Sequence, residues 1–121
     1  MIPTILTGAS VYDIECFPNM LSVHIAALDA PLAWHYRIDP WRDDRQALLG
    51  WLNHQRMWQR PMIGFNNVGY DWIIVQHLMM NPLATPEQLY AVSQNIFASQ
   101  QAERFGLTIW ASDRLVPQVD L

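Results

Sequence analysis

The sequence predicts an α/β fold: a mixed sheet made of a three-strand meander and a parallel strand, flanked by helices. Two observations lead to this prediction. Three short segments with strand character follow one another near the start of the chain, and a segment with helical periodicity then separates them from a short apolar segment. Because a helix between two strands implies a parallel crossover, the fourth strand is expected beside the first.

The three strands of the meander are predicted from alternation and from β-branched and aromatic residues. Residues 10–17 (SVYDIECF) alternate, and a Pro-Asn pair then forms a turn. Residues 20–28 form the second strand, joined to the first closely enough for an antiparallel hairpin. After a further turn, the third strand (LAWHYRI) ends near Ile38. Three consecutive strands therefore form a meander.

An amphipathic helix is predicted next. Asp43 or Asp44 can cap it, and it runs through Trp58. Its apolar face, at helical spacing, consists of Leu48, Leu49, Trp51, Leu52 and Gln55. The segment PMIGF that follows is short, apolar and bounded by glycine and asparagine, which predicts a buried central strand.

Two more helices and a last strand are expected after it. Residues 68–80 have helical length and are apolar almost all round, and an Asn-Pro pair ends them. A helix with Thr85 as its N-cap runs toward Phe105. Both LTIW (107–110) and LVPQVDL (115–121) are candidates for the final strand, although the proline of the second cannot donate to a strand ladder.

The composition indicates a single folded domain over residues 1–121. The chain is 51% hydrophobic and 15% charged, which is too apolar for a disordered protein. Its apolar stretches end well short of the ~18 residues that a membrane span needs, so no membrane association is predicted. No basic leader is apparent, and Cys16 has no second cysteine to pair with, so a cytoplasmic location is expected.

The charge balance limits the function classes. The chain has 7 basic and 11 acidic residues and a net charge of -4, and every basic residue is Arg. Such a protein is not expected to hold nucleic acid by neutralising phosphates alone. Because bound metal ions can supply local positive charge, two classes remain: a metal-assisted enzyme, and a small binding protein with a carboxylate-rich surface.

Three carboxylates are the candidate functional residues. Asp13 and Glu15 are two positions apart on the first strand, so both project from one face while Ile14 points to the other. Asp71 follows the fourth strand inside an apolar segment, where a bare charge requires a partner. Hard oxygen ligands at this spacing suit Mg²⁺ or Mn²⁺, whereas the alternative for the Asp-x-Glu pair is one solvated face of a strand.

Other chemical patterns are weaker. His24 and His35 lie on strands but lack a shared spacing that would make a zinc site. Cys16 follows Glu15, and an adjacent acid would raise the pKa of the thiol and disfavour a nucleophilic thiolate.

Residues 12–19 read YDIECFPN and residues 64–71 read GFNNVGYD. The first resembles the Asp-x-Glu motif of DnaQ-like (DEDD) 3′–5′ exonuclease domains, as in the proofreading domains of family B and bacteriophage DNA polymerases. The second is similar to their next motif, in which an Asn, three residues, an aromatic residue and an Asp follow in order. The resemblance implies a ribonuclease-H-like fold, incomplete at the C-terminus, and covers residues ~10–80 well.

The resemblance also implies a two-metal site that cleaves phosphodiesters from the 3′ end of single-stranded DNA. By position, Asp13 would bridge both Mg²⁺ or Mn²⁺ ions, Glu15 would bind the ion that activates water, and Asp71 would hold the second ion. Asn66 and Tyr70 would contact the nucleic-acid strand. From the residues alone, a turn role for Asn66 and a packing role for Tyr70 are equally reasonable.

The chain departs from the family in its last third. The family's fourth acid, with a His or Tyr four or five residues ahead of it as general base, has no counterpart here. Two hypotheses follow: a partial exonuclease domain that is weak or inactive without a second polypeptide, and a non-catalytic phage-type interaction protein that inhibits a host enzyme or defence complex in the host cytoplasm. Because the missing helix would leave part of the sheet uncovered, a homo-oligomer or a partner is expected.

Overall fold

The computed structural model of the protein describes residues 8–101 and 107–121. Within these ranges the chain forms five strands and three α-helices, in an order that matches the predicted one. The strands are β1 (Ser10–Phe17), β2 (Met20–Ala27), β3 (Ala33–Ile38), β4 (Met62–Gly64) and β5 (Gln118–Asp120). The helices are α1 (Arg45–Trp58), α2 (Asp71–Met80) and α3 (Pro86–Gln101).

The five strands form one mixed sheet in the order β3-β2-β1-β4-β5. Strands β1, β2 and β3 are antiparallel neighbours, whereas β4 is parallel to β1 and β5 is parallel to β4. The prediction of a meander with a parallel strand beside β1 is therefore confirmed. β1 lies at the centre of the sheet, which places whatever it carries next to both the meander and the parallel strands.

The core lies on one face of the sheet, under the helices. Along β1, Tyr12 and Ile14 are buried while Asp13 and Glu15 are exposed, which is the predicted alternation. The same face of β2 and the inner sides of the helices complete one apolar cluster, which includes Leu21, Val23, Ile25, Leu48, Leu52, Trp72, Ile74, Leu78, Leu89 and Ile96. The other face of β1–β3 is called the open face below. It carries polar side chains together with exposed apolar ones such as Val11 and Phe17.

The two predicted N-caps differ in their side-chain contacts. Asp44 is the N-cap residue of α1 but makes no side-chain hydrogen bond to the helix; its carboxylate instead accepts from the backbone of Arg37 at 2.9 Å, which ties the helix start to β3. At the start of α3, the Thr85 hydroxyl accepts from the backbone of Gln88 at 3.2 Å, and the Gln88 side chain accepts from the backbone of Thr85 at 2.9 Å. This reciprocal pair is a capping box and confirms the predicted N-cap.

Two predicted elements differ from the structure. The helix predicted over 68–80 begins at Asp71, because the carbonyl of Asn67 accepts from the backbones of Tyr70 and Trp72 in a turn. LTIW is not a strand, since β5 occupies the free edge of β4 and residues 107–110 lead into a 3₁₀ turn at Ala111–Asp113. The predicted end of α3 near Phe105 lies outside the described residues.

α2 is buried on nearly all sides and carries two buried polar side chains, Asp71 and Gln76. Gln76 is 4% exposed, accepts from the Trp72 indole at 2.8 Å and the Leu115 backbone at 3.0 Å, and donates to the Asp113 carbonyl at 3.0 Å. It therefore fastens α2 to the segment that leads into β5. Among the helices described, none has both the length and the apolarity needed to cross a membrane.

Candidate functional site

The candidate site lies where β4 separates from β1. β4 pairs with β1 only at Ser10 and Val11, although β1 continues to Phe17. Beyond that point, β1 has no hydrogen bond from β4 at Ile14. The Asp71 Oδ2 atom instead accepts from the backbone N–H of Ile14 at 3.2 Å. This contact brings the start of α2 to the Asp-x-Glu segment of β1.

Asp71 is held in an environment that disfavours its charge. The residue is 7% exposed, and burial raises its pKa from 3.8 to about 6. Hydrogen bonds from backbone N–H groups, including that of Ile14, act in the opposite direction, whereas the negative charges of Asp13 and Asp120 raise the pKa further. A cation near these carboxylates would stabilise the charged form of Asp71 and so offset both the desolvation and the repulsion.

Asp13 and Glu15 lie side by side on the open face, as predicted. Both are exposed, and within residues 8–101 and 107–121 neither has an ion pair or a side-chain hydrogen bond. The Arg side chains in ion pairs bind other acids: Arg37 pairs with Asp39, Arg42 with Asp44 and Arg45 with Asp43. Asp13 and Glu15 are therefore solvated, although β1 lies at the centre of the sheet.

The three acids are near one another but are not arranged as a coordination shell. Asp13 is close enough to Asp71 to raise its pKa, and Asp71 contacts the backbone between Asp13 and Glu15. Nevertheless, among the residues that the structure describes, no group of three or more His, Cys, Asp or Glu side chains is placed to hold a metal ion. Asp13 projects from the open face, whereas Asp71 approaches β1 from the side of β4.

Asn66 has a backbone role in the loop between β4 and α2. It is exposed and adopts a left-handed conformation with φ of 54°, which asparagine tolerates better than most residues. Its Oδ1 atom lies over Gly69, at 2.8 Å from where a Cβ would stand. These features fit the turn alternative for Asn66, and a contact with nucleic acid stays a prediction.

Tyr70 packs against α3. Its hydroxyl is 2.8 Å from the Ser93 hydroxyl, and its ring stacks on Phe97 with centroids 5.4 Å apart. Partial burial raises the pKa of Tyr70, so the phenol is neutral at physiological pH. These contacts fit the packing alternative for this residue, and its proposed contact with nucleic acid also stays a prediction.

Asp120 organises the loop that precedes Asp71, and the sequence analysis assigned it no such role. Its Oδ1 atom accepts from the backbone of Asn66 at 2.7 Å, and its Oδ2 atom accepts from the backbone of Val68 at 3.4 Å. β5 therefore anchors the connection between β4 and α2. In the sequence, Asp120 is marked only by its position in a segment that is a candidate for the final strand.

A buried polar network lies beneath this loop and was also missed. Asn67 is 0% exposed, and its side-chain amide lies 2.9 Å from that of Gln118. Oriented with its Nδ2 toward the strands, the amide donates to the carbonyls of Gly64 at 3.2 Å and Val119 at 3.3 Å. The Tyr12 hydroxyl lies 2.6 Å from the same atom of the Gln118 amide, so one network joins β1, β4 and β5.

A groove of about 700 Å³ runs across the open face from Asp13. Its lining includes Val11, Asp13, His24, Ala26, His35 and Phe65. His24 faces Asp13 on β1 and His35 on β3 in the strand register, so the three side chains form one row. The groove thus connects one of the predicted carboxylates, Asp13, to a pair of imidazoles.

The two imidazoles of this row are in direct contact. The rings of His24 and His35 stack with centroids 4.0 Å apart and planes 10° apart. Both Nε2 atoms lie within hydrogen-bond distance of the Ser22 hydroxyl, at 3.1 Å for His24 and 2.9 Å for His35. Partial burial, followed by the effect of His24, lowers the pKa of His35. Strand register brings these two histidines together, although no group of three or more His, Cys, Asp or Glu side chains among the described residues is placed to hold a metal ion.

Cys16 lies on the core side of β1. Burial raises the pKa of its thiol to about 11. The predicted direction is confirmed, but the cause is desolvation by the surrounding core and not the charge of Glu15.

Comparison of the chain with protein-family models, with curated proteins and with solved structures found no match.

Proposed function

We propose that this chain forms the metal-binding part of a 3′–5′ exonuclease-type domain of the DnaQ-like kind. In this proposal Asp13, Glu15 and Asp71 bind Mg²⁺ or Mn²⁺ beside the 3′ end of single-stranded DNA. The observation that carries the proposal is the hydrogen bond of 3.2 Å between the Asp71 carboxylate and the Ile14 backbone, since Ile14 lies between the other two acids. The parallel pairing of β4 with β1 supports the same arrangement, and a meander with parallel strands beside it is what a ribonuclease-H-like fold requires.

The electrostatics of Asp71 give further support. Within residues 8–101 and 107–121, the buried Asp71 carboxylate is repelled by Asp13 and Asp120 and forms no ion pair. Metal ions supply positive charge at phosphodiester-cleaving sites, where they activate water and stabilise the leaving oxygen. Asp13 and Glu15 are solvated and unpaired in the described part of the chain, so they are free to turn toward an ion.

The chain's own residues do not complete the proposed catalyst. None of the acids after Asp71 has a His or Tyr four or five residues ahead of it. A general base alone contributes ~10²–10⁴-fold to such a reaction. We therefore propose that cleavage by this chain is weak or absent until a second polypeptide supplies the fourth acid and the base.

Metal binding is the direct test. Mn²⁺ titration of the full chain by calorimetry should show saturable binding, and Asp13→Asn or Glu15→Gln should weaken it roughly ten-fold or more, because loss of even an outer-shell partner has an effect of that size. Asp113→Asn and Glu87→Gln are matched controls on exposed surfaces, and they should leave the affinity unchanged. Equal affinities in all five proteins would refute the proposal.

A second candidate is a non-catalytic interaction protein of the phage type that inhibits a host enzyme or defence complex. It is favoured by the absence, among the described residues, of three acidic, histidine or cysteine side chains placed to hold a metal. Exposed apolar side chains, including Phe65 at 74% exposure, are compatible with a partner or a homo-oligomer. A chain that binds no Mn²⁺ and degrades no 3′-labelled single-stranded DNA would support this candidate.

A further inference from the structure

We infer that the groove on the open face binds the base of the 3′-terminal nucleotide, an inference that rests on the proposed function. In that function the carboxylates hold the ion that binds the terminal phosphate, but no part of the chain is assigned to the base. The groove begins at Asp13, and its lining also includes Val11, Ala26, Ala33 and Phe65. These last four side chains form the base site.

The groove exists because two small side chains lie beside two large ones. Ala26 on β2 pairs with Ala33 on β3. Two residues along each strand, on the same face, the paired residues are His24 and His35. Both imidazole Nε2 atoms lie 2.9–3.1 Å from the Ser22 hydroxyl, which is on the side away from the alanines. The rings therefore lean away from the two methyl groups, and a depression, called the trough below, is left above Ala26 and Ala33.

The size and the lining of the groove suit a planar ring. Its volume is about 700 Å³, within the ~300–1,000 Å³ of sites that bind small molecules. Val11 and Phe65 add apolar surface on β1 and directly after β4. Phe65 is 74% exposed, so its ring is available for stacking. Stacking on aromatic side chains binds any of the bases, because every base has a π-face.

The charges along the groove favour the base over the phosphate as its occupant. The described residues that line it include the Asp13 carboxylate and two histidines but no Arg, and the chain has no Lys. Phosphates are bound mainly by Arg, Lys and backbone N–H groups, whereas an uncharged base needs none of these. Since the sugar joins the two groups, a phosphate held by an ion at Asp13 leaves its base over the groove.

The experiment compares a ligand that has a base with one that lacks it. NMR titration of the full chain in Mg²⁺ measures the affinity for thymidine 5′-monophosphate and for 2-deoxyribose 5-phosphate. We expect the nucleotide to bind roughly five-fold more tightly or better, because stacking of one base contributes that much. Overhauser effects should join the thymine protons to Ala26 and Phe65.

Two substitutions that fill the trough test its role. Ala26→Leu and Ala33→Leu should abolish the preference for the nucleotide, while the Mn²⁺ affinity stays that of the wild type. Both alanines are exposed, so the added side chain enters the groove and not the core. Ala91→Leu, on the exposed side of α3, is the matched control and should keep the preference. Phe65→Ala should weaken binding of the nucleotide but not of the sugar phosphate.

The outcomes separate this inference from the proposed function. Equal affinities of the wild type for the two ligands would overturn the inference, and so would a preference that survives in both trough-filling variants. Saturable Mn²⁺ binding in those cases would leave the metal site standing. Failure of the wild type to bind Mn²⁺ would instead refute the proposed function, and the base site with it.

Discussion

Replacing Asp71 with asparagine should make the protein more stable at neutral pH in the absence of divalent ions. Burial and neighbouring acids raise the pKa of Asp71 from 3.8 to about 6. A carboxyl group with a raised pKa binds its proton more tightly in the folded state. Its contribution to stability is therefore present below about pH 4 and is lost as the pH rises through about 6. At 1.36 kcal/mol per pKa unit, the ionised group costs ~3 kcal/mol at pH 7.

Asparagine removes the charge and keeps an oxygen that can accept from the Ile14 backbone, where the present contact is 3.2 Å. The uncharged amide oxygen accepts a weaker hydrogen bond than a carboxylate, which reduces the gain in stability by about 1 kcal/mol. We therefore expect Asp71→Asn to raise the free energy of unfolding at pH 7 by ~1–3 kcal/mol. At pH 4 the free energies of unfolding of wild type and variant should differ by less, since Asp71 is then protonated.

Urea denaturation between pH 4 and pH 8, followed by tryptophan fluorescence, measures this difference. The comparison of wild type with variant cancels the titration of other groups, such as His35, whose lowered pKa also makes stability depend on pH. Asp113→Asn is the control for removing a carboxylate from an exposed position and should show no pH-dependent difference. The reasoning is refuted if Asp71→Asn is less stable than wild type at pH 7, or if its difference from wild type is the same at every pH.

Other substitutions test the surroundings of the site. Gly64→Ala should destabilise the fold by ~1–3 kcal/mol in urea melts, because a Cβ there lies 2.9 Å from the Cβ of the fully buried Asn67. Gly50→Ala is its control. No heavy atom lies within 4 Å of a Cβ at this helical position, so the substitution should raise the free energy of unfolding by ~0.5–1 kcal/mol. Asp120→Asn should lower the pKa of Asp71, followed by carboxyl-carbon NMR, because a negative charge that raises it is removed; an unchanged or higher pKa would contradict the assignment. Thr85→Ala should cost ~1 kcal/mol through loss of the capping box, and an unchanged Tm would argue against that cap.

Much of the architecture follows from local patterns. The period-two alternation of β1 correctly separates Asp13 and Glu15 from Ile14, because neighbouring strand residues must face opposite sides. The crossover between β3 and β4 likewise predicts the parallel neighbour of β1, because the helix leaves little choice of direction. Both features depend only on residues close together in the chain or on general connection rules.

The contacts that define the site were less predictable, because they join distant segments. The pairing of His24 with His35 depends on the register of two strands, which the intervening turn sets and composition does not reveal. Asp120 reaches the Asn66 backbone only because β5 pairs with β4 in one particular register. A shift of one residue in either pairing would send these side chains to the opposite face.

The polar contacts of α2 have a consequence for how that helix is oriented about its own axis. A helix that is apolar on nearly every side can rotate in its surroundings with little change in buried apolar area, so hydrophobic packing alone specifies its rotation poorly. Asp71 at one end and Gln76 in the middle bind partners on different parts of the protein, and together they select a single rotation. Gln76→Leu would leave the Trp72 indole, the Leu115 N–H and the Asp113 carbonyl without this partner, so it should destabilise the fold. It should also remove one of the two contacts that fix the rotation of α2 and with it the position of the Asp71 carboxylate.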